Sequence, residues 1–233
     1  MAKAGKPTLE ELKSFCSYDG IIYTSKIGDE YIKSLGKVFS LDNRNDKPFT
    51  IEDIKKQPLI GDFHFAGLLD YRFICKLKAR PMMINENNKR SNEKILPYDF
   101  PSVEEENIFN NSLGVSYILT CLLDDKEYII KIGSSRKTFK DRLQSYNCGC
   151  VYNWRTASTT NIKILQSMVT TRAEFKLYLY DCSDEVYVID WRGVRSVQFA
   201  SPKALAVEDI MVKKFIEQFG DKPLANVQAD AGG

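Results

Sequence analysis

The segment from residue 114 to 149, GVSYILTCLLDDKEYIIKIGSSRKTFKDRLQSYNCG, constrains the fold more than any other part of the chain. Two runs rich in β-branched and aromatic residues are separated by a polar break at Asp124, Asp125 and Lys126, which is the pattern of a β-hairpin. With those three residues as the loop, Tyr117 lies opposite Gly133 and diagonal to Lys131 on one sheet face. A slip of one residue would send the two side chains to opposite faces. After the bend at Ser134 and Ser135, Thr138 is placed to cap a helix with Asp141 as its capping-box partner. On that helix Phe139 and Leu143 form a buried stripe, while Arg142 and Tyr146, four residues apart, share another face. A phenol, an ammonium, a guanidinium and a second phenol thus converge on one small site.

Composition narrows the chemistry available to that site. The single histidine, His64, excludes a zinc hydrolase or a histidine relay built on the hairpin. Lying among Phe63, Phe65 and Leu68, it reads as a packing residue with one hydrogen bond. The six cysteines show no metal-finger spacing and read as buried or free thiols. No apolar run reaches membrane-span length and the N-terminus lacks the apolar segment of a secretion signal, so the expectation is a soluble cytoplasmic protein. The net charge of +2 hides a local excess: between Lys126 and Lys163 there are eight Lys and Arg against two acids. Such a zone suits a phosphate backbone, or is an ordinary solvated basic face.

On the N-terminal side of the hairpin, Thr8 caps a helix over TLEELKSF, and GIIYTSKIG at 20–28 repeats the hairpin's tripeptides with a gap too short for two strands. A capping box from Thr50 to Asp53 starts a short helix. The aromatic run 58–77 is expected to be the core of an N-terminal half, and the polar stretch 84–94 to be a linker. That divides the chain into two domains: residues 1–95, of unassigned role, and residues 96–233. Ser102 begins a helix, Thr159 or Thr160 another, and 174–181 and 186–191 alternate as strands. Tyr152, Trp154 and Arg155 serve either as nucleic-acid contacts or, for Trp154, as core.

The last helix has Ser201 as N-cap, Pro202 at its first position and Gly220 as its stop. Ala204, Leu205, Met211, Val212, Phe215, Ile216 and Phe219 form its apolar arc, and Glu208 falls inside it, with Asp209, Lys213 and Glu217 on the wet side. A carboxylate in an apolar arc requires a compensating cation or hydrogen bonds. It either pairs with a lysine or arginine or binds a metal.

The series as a whole resembles the GIY-YIG nuclease superfamily. Val115-Ser116-Tyr117 stands for the first tripeptide, Lys131-Ile132-Gly133 for the second, Arg142 for the arginine of the following helix and Tyr146 for the aromatic position one turn later. The stretch from 112 to 228 is similar to small GIY-YIG type II restriction endonucleases. The resemblance implies an α+β fold with a small central antiparallel sheet flanked by helices, to which this chain adds an N-terminal extension whose role the resemblance does not give, DNA recognition, dimerisation and partner binding being open. It implies a sequence-specific endonuclease acting on double-stranded DNA as a homodimer, with Tyr117, Lys131, Arg142, Tyr146 and Glu208 catalytic and Glu208 holding Mg²⁺ or Mn²⁺. Tyr117 would take a proton from water; an unperturbed phenol has a pKa near ~10, so Lys131 would be needed beside it to favour the phenolate. Ser134, Ser135, Arg136, Lys137 and, by the family's C-terminal asparagine, Asn226 are the implied substrate contacts. Alternatives are a homing, repair or phage-defence nicking enzyme of the same superfamily, and a non-catalytic DNA-binding module.

Overall fold

A computed structural model describes residues 10, 13, 21–22, 48–147, 159–184, 186–196, 199–200 and 203–226. The expectations for the Thr8 cap, most of 20–28, Tyr152, Trp154, Arg155, Ser201 and Pro202 lie outside the described residues. The chain divides into two compact units. One comprises 1–51, 78–96 and 145–173; the other, which carries the hairpin, comprises 52–77, 97–144 and 174–233. Four of the five boundaries fall within an element, two in strands and two in helices.

The strands in chain order are β1 (Ile21–Ile22), β2 (Arg72–Arg80), β3 (Met82–Ile84), β4 (Arg90–Ser91), β5 (Lys94–Tyr98), β6 (Val115–Leu123), β7 (Lys126–Ser135), β8 (Glu174–Asp181), β9 (Val186–Tyr187), β10 (Asp190–Trp191), β11 (Val194–Arg195) and β12 (Phe199–Ala200). The α-helices are α1 (Ile51–Lys55), α2 (Val103–Asn111), α3 (Phe139–Asn147), α4 (Thr159–Thr171) and α5 (Lys203–Phe219). The fold is α+β, with a five-stranded sheet in the order β5-β2-β8-β6-β7 and helices beside it. Among the described residues no helix is long and apolar enough to cross a membrane.

In the first unit, β1, β3 and β4 form a small antiparallel sheet. The polar stretch expected as a linker is largely the turn of the β3–β4 hairpin. Asn85 Oδ1 accepts from the backbone N–H groups of Asn87 and Lys89, and Asn88 takes φ 56°. Asparagine closes its own backbone into turns, so an Asn-rich run serves a hairpin as well as a linker. Helix α4 buries Ile164, Leu165, Met168 and Val169, and its Ser167 hydroxyl accepts from the Phe49 backbone N–H at 2.6 Å.

In the second unit, helix α5 covers one face of the sheet. Met211 and Phe215 pack with Ile118, Ile129 and Ile132 of the hairpin, and with Phe63 and Tyr71. The aromatic run 58–77 therefore belongs to this core and not to a core of an N-terminal half. Within it His64 is exposed, contrary to its expected packing role; its backbone N–H donates to Gln218 Oε1 at 3.0 Å. Leu205, expected in the apolar arc of α5, is 37% exposed. Asp209 and Lys213 pair on the wet side as expected. The 186–191 run forms two short strands, β9 and β10, in place of one, since each pairs with a different partner.

Candidate active site

The β6–β7 hairpin sets the geometry by an unexpected route. Its loop has two residues, Asp124 and Asp125, with φ 50° and 59°, the left-handed pair of a type I′ turn. That turn alone pairs Leu123 with Lys126 and would set Tyr117 out of step with Gly133. A bulge restores the register: Thr120 pairs with Ile129 and Leu119 with Lys131, leaving Ile130 as the extra residue. Beyond it Tyr117 stands opposite Gly133, and Lys131 sits two residues away on the same face.

Gly133 is required here by close approach. A Cβ added to it would lie 2.4 Å from both Cζ and Oη of Tyr117, so the phenol rests directly on the strand backbone. On its other side the Tyr117 ring meets Phe139 edge-on, with centroids 5.1 Å apart. Thr138 caps α3 as expected, its Oγ1 accepting from the Asp141 N–H at 3.1 Å. This fixes the helix so that half-buried Arg142 donates from Nε to Tyr117 Oη at 3.2 Å. Tyr146 comes one turn later and is 1% exposed; it belongs to the first compact unit, whereas Tyr117 and Arg142 belong to the second.

Glu208 arrives from the opposite face. Ser134 pairs with Ser116, one step along from the Gly133–Tyr117 pair, and so points away from Tyr117. Its hydroxyl donates to Glu208 Oε2 at 2.5 Å, on the face covered by α5. Lys131 links the two sides electrically. Burial is the main cause that lowers its pKa from the ordinary 10.5 to about 8; Arg142 lowers it further, and Glu208 pulls it back up. Its Nζ donates to the carbonyl of Ala225 at 3.1 Å. The site is thus gathered around the β7 end of the sheet and draws on both faces.

The remaining expected residues divide by their partners. Ser135 Oγ accepts from the Lys137 N–H and donates to the Thr138 carbonyl, holding the turn into α3. Arg136 and Lys137 are exposed on that turn, and Lys140 is exposed on the first turn of α3. Asn226 bonds the backbone of Ile132 twice, its Oδ1 accepting at 3.1 Å and its Nδ2 donating at 2.8 Å. Sequence reasoning missed Tyr71, whose Oη lies 2.6 Å from Ser116 Oγ. Burial raises the Tyr71 pKa, and nearby Glu208 adds to the rise. Its only sequence signal is a tyrosine near the end of an apolar run, which does not separate a site neighbour from a core residue.

Among the described residues no group of three His, Cys, Asp or Glu side chains is placed to hold a metal. A single carboxylate still fits Mg²⁺, which takes hard oxygen ligands, keeps several waters, and needs only one or two carboxylates beside substrate phosphate. Glu208 meets that description: it is half-buried, and Ser134 is its hydrogen-bond partner through one oxygen.

No protein-family model matches the chain, and no curated protein matches it. Among solved structures, the chain is similar to restriction endonuclease HPY188I in complex with product DNA, at 26% identity and a TM-score of 0.47, covering 82% of this chain and 99% of that one. It is also similar to a mutant of bacteriophage T4 EndoII, at 15% identity and a TM-score of 0.39, covering 70% and 96%.

Proposed function

We propose that the protein is a DNA endonuclease of the GIY-YIG type that hydrolyses phosphodiester bonds in double-stranded DNA. The observation that carries this reading is the grouping of Tyr117, held by Arg142, with a buried ammonium and a carboxylate whose hydrogen-bond partner among the described residues is a hydroxyl. A structural core would pair those charges directly, whereas a phosphate site needs positive charge at the phosphate and a hard-cation ligand beside it.

Each side chain has a task in that reaction. Arg142 places positive charge against the Tyr117 oxygen that would become phenolate on accepting a proton from the attacking water. Its guanidinium fork is also the group best shaped for nonbridging phosphate oxygens. Lys131, cationic below about pH 8, adds charge beside the phenol and keeps its place through the Ala225 carbonyl. Ser134 fixes one oxygen of Glu208. Glu208 would hold Mg²⁺ or Mn²⁺, which when bound supplies Lewis-acid stabilisation of the phosphate and the leaving 3′ oxygen. Exposed Arg136 and Lys137 extend the positive surface to the flanking backbone. One such site cuts one strand, so a homodimer acting on a restriction sequence is the form that yields double-strand breaks, with residues 1–95 contributing recognition or dimerisation.

The test is cleavage of unmethylated phage DNA with Mg²⁺, comparing wild type, Glu208→Gln and a no-metal control. Discrete fragments from wild type alone support a sequence-specific endonuclease. Nicked products point to a nicking enzyme of the same type. DNA binding that survives Glu208→Gln, with no cutting by wild type in Mg²⁺ or Mn²⁺, would replace the enzyme with a binding module.

A further inference from the structure

Strand β7 lies at the edge of its sheet, and an edge strand leaves outward backbone groups that need partners. Here the Pro58 carbonyl takes the Ile129 N–H at 2.9 Å, and the segment after α5 partners the positions beyond it. The Ala225 N–H donates to the Ile130 carbonyl at 2.9 Å, and the Asn226 amide takes both the N–H and the carbonyl of Ile132. A side-chain amide acts here as a peptide would in a neighbouring strand. The segment is itself tied down, with the Asn226 N–H on the Pro223 carbonyl at 2.8 Å and the Leu224 N–H on Gln57 Oε1 at 3.2 Å. Between the two anchored positions on β7 lies Lys131, and between the two anchoring residues lies the Ala225 carbonyl that accepts from its Nζ.

We propose that Asn226 is a positioning residue for Lys131: by docking its amide on Ile132 it holds the Ala225 carbonyl against the Lys131 ammonium and keeps that ammonium between Arg142 and Glu208. This assigns the asparagine a task on the protein's own strand in place of a contact with substrate, and it rests on the nuclease reading for its catalytic consequence. The physical reason is the cost of burial. Lys131 is 8% exposed, so its ammonium cannot turn to water and depends on a carbonyl fixed at the right place. The charged groups it feels are Arg142 from α3 and Glu208 from α5, one repelling and one attracting, so a small displacement changes its protonation. With the amide removed, the Ile132 groups and the Ala225 segment turn to water, and Lys131 goes with them.

The experiment compares wild type with Asn226→Ala in the full-length protein. Three quantities are read: kcat and KM for plasmid cleavage with Mg²⁺, affinity for the same DNA without metal, and the titration midpoint of Lys131 by isotope-edited NMR of its Cε resonance, assigned with Lys131→Arg. The expected result is a fall in kcat on the order of tenfold, DNA affinity unchanged, and a Lys131 midpoint raised towards the ordinary lysine value. Should the alanine variant fail to fold, Asn226→Asp keeps the acceptor for the Ile132 N–H and takes its place, with a smaller loss of kcat and a midpoint raised in the same direction. Weakened DNA binding with kcat intact would make Asn226 a substrate contact and overturn the proposal. An unmoved midpoint with only a lower melting temperature would overturn it too. If wild type does not cut DNA, the nuclease reading falls while the NMR midpoint still decides whether Asn226 positions Lys131.

Discussion

Two glutamates of the second unit, Glu127 and Glu208, sit half-buried near the same sheet and are treated in opposite ways. Glu127 accepts from Thr120 Oγ1 at 2.6 Å, from Lys176 Nζ at 2.6 Å and from Tyr178 Oη at 2.7 Å. Its charge is matched by a direct ion pair, and both of its oxygens accept hydrogen bonds. Glu208 has a hydroxyl partner, Ser134, and its nearby cation, Lys131, is bonded to a carbonyl instead. The lysines differ in the same sense: Lys176 touches a carboxylate, whereas Lys131 is buried beside an arginine and has its pKa lowered. A carboxylate that is saturated stabilises the sheet. A carboxylate held by one hydroxyl, near a buried lysine bonded to a carbonyl, keeps acceptor capacity for a ligand, and on the proposed reading that contrast marks the working end of the sheet.

The sharpest way to break the comparison is to neutralise each glutamate in turn. Glu208→Gln should reduce DNA cleavage by about a thousandfold or more, as loss of a metal anchor does. The protein should stay folded by circular dichroism. Cleavage by Glu208→Gln at the wild-type rate would erase the difference between the two carboxylates.

Next in size is the behaviour of Lys131 with pH. Its folded pKa is about 8 against an ordinary 10.5, so between those values the unfolded chain binds more protons and stability rises with pH. Below pH 8 both states are protonated and the burial penalty is fully present. Displacement over that window is worth roughly 3 kcal/mol at about 1.4 kcal/mol per pH unit. Lys131→Met should therefore lose its stability advantage over wild type as pH climbs from 8 to 10.5, measured by urea denaturation at each pH. A constant gap would mean that Lys131 titrates as an ordinary lysine.

Gly133→Ala comes third. The added carbon has to displace the Tyr117 ring, and overpacking of this kind costs on the order of 2 kcal/mol. The measurable results are a lower urea midpoint and loss of cleavage together; an alanine accepted with neither change would show that the phenol does not rest on the strand. Smallest is Glu127→Gln, expected to cost about 1 to 2 kcal/mol by leaving Lys176 without its anionic partner, with cleavage per folded molecule unchanged. A cleavage defect there as large as that of Glu208→Gln would put both glutamates in the site.

Much of the hairpin end is legible in sequence because its information is local. The alternation of β6 and β7, the Thr138 cap and the four-residue spacing of Arg142 and Tyr146 depend on neighbours in sequence. A three-residue loop anticipates the Tyr117–Gly133 pairing, whereas the molecule reaches it with a two-residue turn and the bulge at Ile130. Both routes displace the strand by the same one residue, which pattern reading does not distinguish. Glu208 in the buried stripe of α5 is legible from helical period, but its partner is not, since Ser134 lies 74 residues away. Likewise a run as apolar as 58–77 declares burial without declaring which core receives it.

By itself the sequence determined the elements around the site, the residues each could present, and one carboxylate out of place on an apolar face, because propensity, capping and periodicity act over a few residues. Tertiary structure alone decided that Glu208 comes from the face opposite Tyr117, that β2 is inserted beside β8, and that the segment at Ala225 and Asn226 closes the edge of β7. Those choices turn on which distant backbone groups and charges meet once apolar surface is buried, and no local pattern encodes the meeting.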